Sequence, residues 1–299
     1  MDTLESLRRQ MKSTETLESV VRTMEALSMT SIHQCEAAVA SLSDYTRTVH
    51  LGLQAALRQR GDGGILPVEP GARTGAVVFG SAWGLCGRFN EQVAAFAAEQ
   101  VGARPEGPRR VLALGQLVEG RLADHGHVPD RVLAPPTAVE QITARVSDLL
   151  GEVERWRETE RIQTVRLFFN ETTGPTSFAP TQQRLLPLDR HWLERLTARP
   201  WPTRMIPLVR MDWAPLFAAL VRQYLFVSLY RAFAESLASE HSSRLAAMQA
   251  AQNTAEERLR DLRRRYHQRR QSAITEELLD ITAGVEALSD DSLRTPELS

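Results

Sequence analysis

Apolar side chains near both ends of the chain recur at alternating intervals of three and four residues, with slips between blocks. Intervals of this kind gather the apolar side chains on one stripe of an α-helix. All but one of the 17 glycines and all but one of the 15 prolines lie between residues 52 and 215, so residues 1–51 and 216–283 contain neither helix breaker. We therefore predict a very long helix at each end.

These two predicted helices need a partner. A helix over residues 216–283 would be about 100 Å long, which is longer than a small domain is wide. Because the helices flank a compact middle, they can pair as an antiparallel coiled coil that projects from it. The alternative is two independent amphipathic helices folded over the core, and the length of the helices favours the coiled coil.

The middle of the chain alternates between β-branched runs and helical runs. The predicted elements are strand Thr74–Gly80, helix Glu91–Val101, strand Arg110–Leu114, helix Gln116–His125, strand Arg131–Ala134, helix Ala138–Arg157 and strand Thr164–Asn170. This order predicts an α/β domain with a doubly wound, mostly parallel, Rossmann-like sheet. A last strand, Thr181–Leu188, follows a Gly-Pro turn and is predicted to be an antiparallel edge strand.

These patterns divide the chain into four parts. We predict a coiled-coil helix over residues 1–59, a central α/β domain over 60–210, a second coiled-coil helix over 211–289 and an acidic tail over 290–299.

Composition restricts the classes of function. The formal net charge of −1 and the pI near 6.7 give no global electrostatic reason to bind nucleic acid or an acidic membrane. The two cysteines lie in unrelated contexts and predict neither a disulfide framework nor a metal cluster, which favours a reducing compartment. The N-terminus lacks the apolar core of a signal peptide, and Arg222 and Arg231 interrupt the most apolar stretch, so we expect no membrane span.

The loop FGSAWGLCGRFN, residues 79–90, lies where α/β proteins often hold phosphate groups. It lacks the glycine spacing and the lysine of a phosphate loop, and it lacks the full dinucleotide fingerprint. Cys86 has no histidine near it in sequence to activate it as a nucleophile. We interpret the segment as a strand-to-helix turn in which Gly84 and Gly87 permit a positive φ or a close backbone approach, with Cys86 packed inward.

The remaining candidates for chemistry are weak. His125 and His127, with Asp124 and Asp130, could in principle bind a metal, but the glycine between the histidines fits a helix C-cap better. No catalytic triad or carboxylate dyad is visible. We therefore expect no catalytic residues, no cofactor and no metal.

The second long helix carries a local basic band. Its seven arginines are Arg258, Arg260, Arg263, Arg264, Arg265, Arg269 and Arg270. Such a band is usually a solvated face, but guanidinium groups can also bind an acidic or polar partner surface. Nucleic acid is a rival partner, which the presence of a single aromatic ring in the band, Tyr266, makes less favourable.

Three blocks resemble the gamma subunit of the rotary F-type ATP synthases: LRRQMKSTETLESVVRTMEALSM near the start, the GLCGRFN loop, and the C-terminal helix with its RRQSAITEELLDITAGVEAL segment. The family's C-terminal signature R-Q-x-x-I-T-x-E is matched by Arg270, Gln271, Ile274, Thr275 and Glu277. The resemblance covers both ends of the chain.

The resemblance implies a non-catalytic central shaft that couples ion flow through a membrane rotor to ATP synthesis or hydrolysis. It implies as partners the alpha and beta subunits of the catalytic hexamer, the epsilon subunit and the membrane rotor ring of c subunits, but no nucleic acid. It also implies a peripheral location on the cytoplasmic side of the bacterial membrane. The contact residues it implies are Met24, Arg270, Gln271, Thr275 and Glu277.

The chain departs from the family in charge. Glu15, Ser19 and Ser31 stand where the family's first helix is usually basic, and Arg88 replaces the glycine that usually follows G-L-C-G. We hypothesise a divergent branch, such as an alternative ATPase operon, whose shaft meets a differently charged bore. The alternative function is a nucleotide-binding α/β enzyme that oligomerises through its coiled coil.

Overall fold

The computed structural model of the protein describes residues 3–60, 73–102, 110–174, 176–205 and 210–292. The helices are α1 (Leu4–Ser41), α2 (Ser43–Arg60), α3 (Phe89–Gly102), α4 (Gln116–Asp124), α5 (Ile142–Thr159, preceded by a 3-10 turn), α6 (Arg190–Ala198) and α7 (Trp213–Ser292). The strands are β1 (Arg73–Phe79), β2 (Arg110–Leu114), β3 (Arg131–Leu133), β4 (Ile162–Gly174) and β5 (Ser177–Leu186).

The five strands form one sheet in the order β3-β2-β1-β4-β5. Strands β1 to β4 are parallel to one another, and β5 pairs with β4 in the antiparallel sense at the edge. Because the chain moves outward from β1 to β3 and then returns to β4 on the other side of β1, the sheet is doubly wound. The predicted fold class is confirmed.

Alternate side chains of the central strands enter two separate cores. Ala76 and Val78 of β1 pack with α3 and α4, whereas Val77 and Phe79 pack with α5 and with α7 on the opposite face. The rings of Phe79 and Phe233 meet edge to face with their centroids 4.9 Å apart. Helix α7 is therefore a core element of the α/β domain as well as a long terminal helix.

The N-terminal helix is not continuous, as the sequence predicted, but ends at Ser41 and begins again at Ser43. At the break, the Leu42 amide donates to the Val39 carbonyl, which is three residues back rather than four. The Ser41 hydroxyl also donates to the Ala38 carbonyl. Serine side chains that hydrogen-bond to nearby backbone compete with the helical pattern, and this explains a break where there is neither glycine nor proline.

Two other elements differ from the prediction. Strands β4 and β5 form a longer hairpin than expected, because pairing continues out to Gly174 and Ser177 at the turn. Helix α6 was missed, although Asp189 caps it by accepting a hydrogen bond from the His191 amide at 3.0 Å. Prolines shortly after α6 drew the prediction towards a loop.

The chain divides into two compact units, residues 25–247 and residues 1–24 with 248–299. The first unit holds the sheet and its helices, and the second joins the beginning of α1 to the end of α7. Among the described residues, no helix combines the length and apolarity that a membrane crossing requires.

Gly115, before α4, allows a sharp test of the domain's packing. Its φ is +107°, and an added Cβ would lie 2.5 Å from the Ser81 carbonyl oxygen. We expect Gly115→Ala to lower the free energy of unfolding by about 2–4 kcal/mol through backbone strain and steric overlap, as measured by urea titration.

Gly120, within α4, is the matched control, because an added Cβ there would meet no atom within 4 Å. Gly120→Ala should raise the free energy of unfolding by about 0.5–1 kcal/mol, since alanine is the better helix former. Equal effects of the two substitutions would contradict this description of the turn.

Candidate functional site

The loop between β1 and α3 is closed by side chains of its own ends. The Asn90 amide accepts a hydrogen bond from the Ser81 backbone at 3.0 Å and donates to the Ser81 hydroxyl at 2.8 Å. Cys86 is buried, and its burial raises the pKa of the thiol, although a hydrogen bond from Ser81 opposes this. A protonated, buried thiol fits the predicted packing role.

Residues with positive φ occur in this loop at one of the two positions that the sequence predicted. Gly87 has φ +54°, as expected, but Leu85 rather than Gly84 is the second residue with positive φ, at +61°. An added Cβ at Gly84 would meet nothing within 4 Å, so the prediction for Gly84 was wrong. The adjacent glycine drew the prediction one residue away from the strained position.

The carboxyl ends of β1 and β4 lie where the direction of winding reverses, which is the usual ligand position in a doubly wound sheet. Here, the Asn170 side-chain amide donates to the Phe89 backbone carbonyl at 3.1 Å, and the Asn170 backbone carbonyl accepts from the Ser239 hydroxyl of α7 at 2.9 Å. Helix α7 thus occupies the switch point that a nucleotide-binding enzyme would need open. This observation weighs against the alternative function.

The next turn of α7 holds the loop itself. The Ser243 hydroxyl donates to the Cys86 carbonyl at 2.6 Å, and Arg244 reaches the Gly84 carbonyl at 3.5 Å. Arg244 also pairs with Glu240 at 2.6 Å, and both side chains are more than 90% buried. Because the ion pair lies within α7, the contacts that orient α7 against the loop are those of Ser243 and Arg244 with the two backbone carbonyls.

Burial shifts the pKa values in this cluster. Burial raises the pKa of Glu240, and the neighbouring Arg244 opposes that shift. Burial, followed by the charge of Arg244, lowers the pKa of His241 to about 4, so its ring is neutral at pH 7. The neutral ring accords with a contact between its Nδ1 and the Arg244 guanidinium at 3.2 Å.

Sequence reasoning did not identify this cluster. The segment SEHSSR, residues 239–244, places serines four residues apart and an acid four residues before an arginine within an otherwise apolar part of α7. This polar interruption was the sequence signal from which a buried contact of α7 could have been predicted. The partner loop is more than 150 residues away in sequence, which hid its meaning.

The metal candidate at the end of α4 is a helix terminus. Gly126 has φ +81°, its amide donates to Ala123 and the His127 amide donates to Leu122, which together form a Schellman cap. In the described part of the chain, no group of three or more His, Cys, Asp or Glu side chains is placed to hold a metal ion.

In the second unit, the beginning of α1 and the end of α7 run antiparallel. Arg8 donates to the Tyr266 hydroxyl at 2.9 Å, and Glu15 pairs with Arg263 at 3.2 Å. Leu7 of α1 and Leu262 of α7 are buried. Glu15, the acid at a usually basic position, is therefore directed at an arginine of the paired helix.

The predicted contact residues on α7 are all exposed: Arg270, Gln271, Thr275 and Glu277. Because helix residues are turned by about 100° each, Arg270 and Glu277 share one row, and Gln271 and Thr275 share another. Between the rows lie Ile274, Leu278 and Ile281, with exposed fractions of 48%, 59% and 58%. The fifth predicted residue, Met24, lies on α1 and is half-buried.

Comparisons with known proteins identify the family. A family model described as ATP synthase matches residues 3–288. The ATP synthase gamma chain of Bacteroides fragilis is 27% identical over 297 residues, which cover 95% of this chain and 99% of the relative. The ATP synthase gamma chain of Trichormus variabilis is 28% identical, with 97% of this chain and 100% of the relative covered.

The chain belongs to the ATP synthase gamma chain family.

Chains in solved structures of ATP synthase assemblies share the fold. A chain of the Euglena gracilis mitochondrial ATP synthase, solved as OSCP, F1 and c-ring, has a TM-score of 0.64 at 13% identity, covering 99% of this chain and 98% of that one. A chain of the Tetrahymena thermophila mitochondrial ATP synthase central stalk and c-ring has a TM-score of 0.55 at 18% identity, covering 78% and 99%. At these identities the likeness is one of fold.

Within this gamma-family fold, Arg244 offers a test of the attachment of α7. Arg244→Met leaves the Glu240 carboxylate buried without its partner, and we expect a loss of about 3–5 kcal/mol in the free energy of unfolding at pH 7. Because burial already raises the pKa of Glu240 in the folded state, protonation relieves the defect. The loss should therefore shrink as the pH falls towards 5, measured by denaturant titration across pH.

Arg222→Met is the matched control on the same helix. Arg222 pairs with Glu154 at 2.8 Å, but their side chains are 61% and 42% exposed. It should cost no more than about 1 kcal/mol, with little dependence on pH. A loss at Arg244 that is small, or that grows as the pH falls, would contradict the buried-pair account.

Proposed function

We infer that this chain is the central rotor shaft, the gamma subunit, of an F-type ATP synthase or ATPase. The observation that carries this function is an antiparallel helix pair, α1 with α7. One part of the longer helix, α7, lies in the core of the α/β domain, and another part bears the exposed apolar side chains of Ile274, Leu278 and Ile281. Membership of the gamma chain family supports the same role.

The shaft acts through binding energy rather than through bond chemistry. An asymmetric shaft in a ring of catalytic subunits contacts each subunit differently at each rotational position. A difference in contacts between two states of a subunit shifts the equilibrium between them, and therefore shifts nucleotide affinity. The chain is then a non-catalytic part of a complex that is itself the enzyme.

The face around Ile274 supplies the stator contacts in this proposal. Arg270 and Glu277 offer charges on one side, and Gln271 and Thr275 offer polar groups on the other. Met24 would contribute a contact from α1. Exposed apolar side chains flanked by polar rows have the make-up of a protein interface, which supports contact with the alpha and beta subunits.

We propose that the α/β base binds the epsilon subunit and the membrane ring of c subunits, which places the chain peripherally on the cytoplasmic side of a bacterial membrane.

The division of the chain into residues 1–59, 60–210, 211–289 and 290–299 stays a prediction. The origin of the chain from an alternative ATPase operon also stays a prediction. The Glu15–Arg263 ion pair bears on it, because Glu15 neutralises the charge of an arginine on the shaft itself.

Reconstitution tests the shaft role directly. The alpha and beta subunits assembled with this chain should hydrolyse ATP with stepwise rotation of a bead attached to the α/β base, and the isolated chain should show no ATPase activity. Equal steady-state ATPase rates with and without the chain, or ATP hydrolysis with no rotation of the bead, would overturn the assignment. ATP turnover by the isolated chain would favour the alternative enzyme.

Charge reversal at Arg270 tests the contact face. Arg270→Glu should lower ATP-driven rotation or coupled activity by about tenfold, equivalent to ~1.4 kcal/mol of contact energy, while expression and helicity remain unchanged. Arg269→Glu makes the same change in charge on the neighbouring residue, turned about 100° away, and should have little effect. Full coupled activity of Arg270→Glu would remove Arg270 from the proposed contacts.

A further inference from the structure

Two adjoining cavities surround His50 within residues 25–247. The larger has a volume of about 550 Å³ and lies among α1, α2, α6, α7 and β5, and the smaller, of about 370 Å³, lies between α2 and the end of α6. They share Ser43, Thr46 and His50 as lining residues. The volumes fall within the range of small-molecule sites, which are usually concave and largely apolar with a few polar groups.

Three rings in mutual contact form one wall. The His50 and Trp192 rings meet edge to face with centroids 5.3 Å apart, and Trp192 lies 4.7 Å from Tyr224. His50 and Tyr224 are 6.2 Å apart. Each ring comes from a different helix, so the wall is fixed by packing and offers flat aromatic surface to a second flat ring.

The charged side chains that line the cavities are basic. Among the described lining residues there are three arginines, Arg47, Arg199 and Arg231, and no acidic side chain. Arg231 is balanced by Glu235 at 2.6 Å. Arg47 and Arg199 both line the smaller cavity, which is therefore the end suited to an anionic group.

The smaller cavity is held in shape by hydrogen bonds to backbone. Gln54 is buried, and its amide donates to the Arg199 carbonyl at 2.6 Å, while Arg58 donates to the Thr197 carbonyl at 3.0 Å. These contacts fix the end of α6 against α2. Burial, followed by the charge of Arg199, lowers the pKa of His50, which keeps the ring between the two cavities neutral at pH 7.

We propose that the two cavities form one binding site for a flat aromatic anion, with its ring against Trp192 and Tyr224 and its carboxylate or other compact anionic group facing Arg47 and Arg199. A cation would be repelled by the arginines, and a non-aromatic anion would leave the ring wall unused. The site lies beside the α1–α2 break, since Leu42 lines the larger cavity. This proposal is independent of the shaft function, because it concerns binding by the chain alone.

The test uses two fluorescent probes with the same rings. 8-Anilinonaphthalene-1-sulfonate carries an anionic group, and N-phenyl-1-naphthylamine lacks it. With the full chain, the anionic probe should saturate at about one site per chain and bind about tenfold more tightly than the neutral probe, the difference expected for a charge-assisted contact.

Substitutions then separate the two halves of the site. The double change Arg47→Gln with Arg199→Gln should weaken the anionic probe about tenfold and leave the neutral probe unchanged, whereas Trp192→Leu should weaken both. Arg195→Gln, on α6 but outside the cavity lining, and Trp83→Leu, at an exposed tryptophan, are the matched controls and should change neither.

Ala40→Trp gives a test that removes no core contact. Ala40 is exposed and lines the larger cavity, so a ring added there should block both probes while leaving the fold intact. Binding that does not saturate, or that is unaffected by both the double arginine change and Ala40→Trp, would overturn the proposal. Loss of binding in the control variants to the same extent would also overturn it.

Discussion

The structure depends on the buried polar cluster through which α7 is fixed to the loop between β1 and α3. Hydrophobic burial is not directional, so apolar contacts specify the orientation of α7 less sharply than hydrogen bonds to particular groups do. Ser239, Ser243 and Arg244 instead bond to particular backbone carbonyls, at Asn170, Cys86 and Gly84. Rotating α7 by one residue would turn these donors by about 100° away from their carbonyl acceptors.

This attachment also explains why a nucleotide-type fold carries no nucleotide loop. In a doubly wound sheet, the carboxyl ends of the strands leave backbone groups for a ligand to satisfy. Here, side chains of α7 satisfy them, so the same architecture that holds a phosphate elsewhere holds a helix. The GLCGRFN loop accordingly binds α7. The buried Cys86 and the positive φ of Leu85 give the loop the shape that this contact requires.

The sequence predicted the parts of the fold that follow from local patterns. The absence of glycine and proline located α7, and the alternation of strand and helix predicted the doubly wound sheet with its antiparallel edge. The break at Leu42 was missed because it depends on serine hydroxyls competing for backbone within a breaker-free run. The family resemblance predicted the exposed residues on α7. The contacts between α7 and the GLCGRFN loop could not be predicted, because they join residues that are distant in sequence.

The end of α7 shows what a lone chain lacks. Its apolar side chains at Ile274, Leu278 and Ile281 are about half exposed, although each belongs to a row that a helix normally buries. An isolated helix in water is only marginally stable, and most helices owe their stability to packing of the apolar face. We expect a partner that covers this face to stabilise this part of α7, which would couple partner binding to the helical order of the segment.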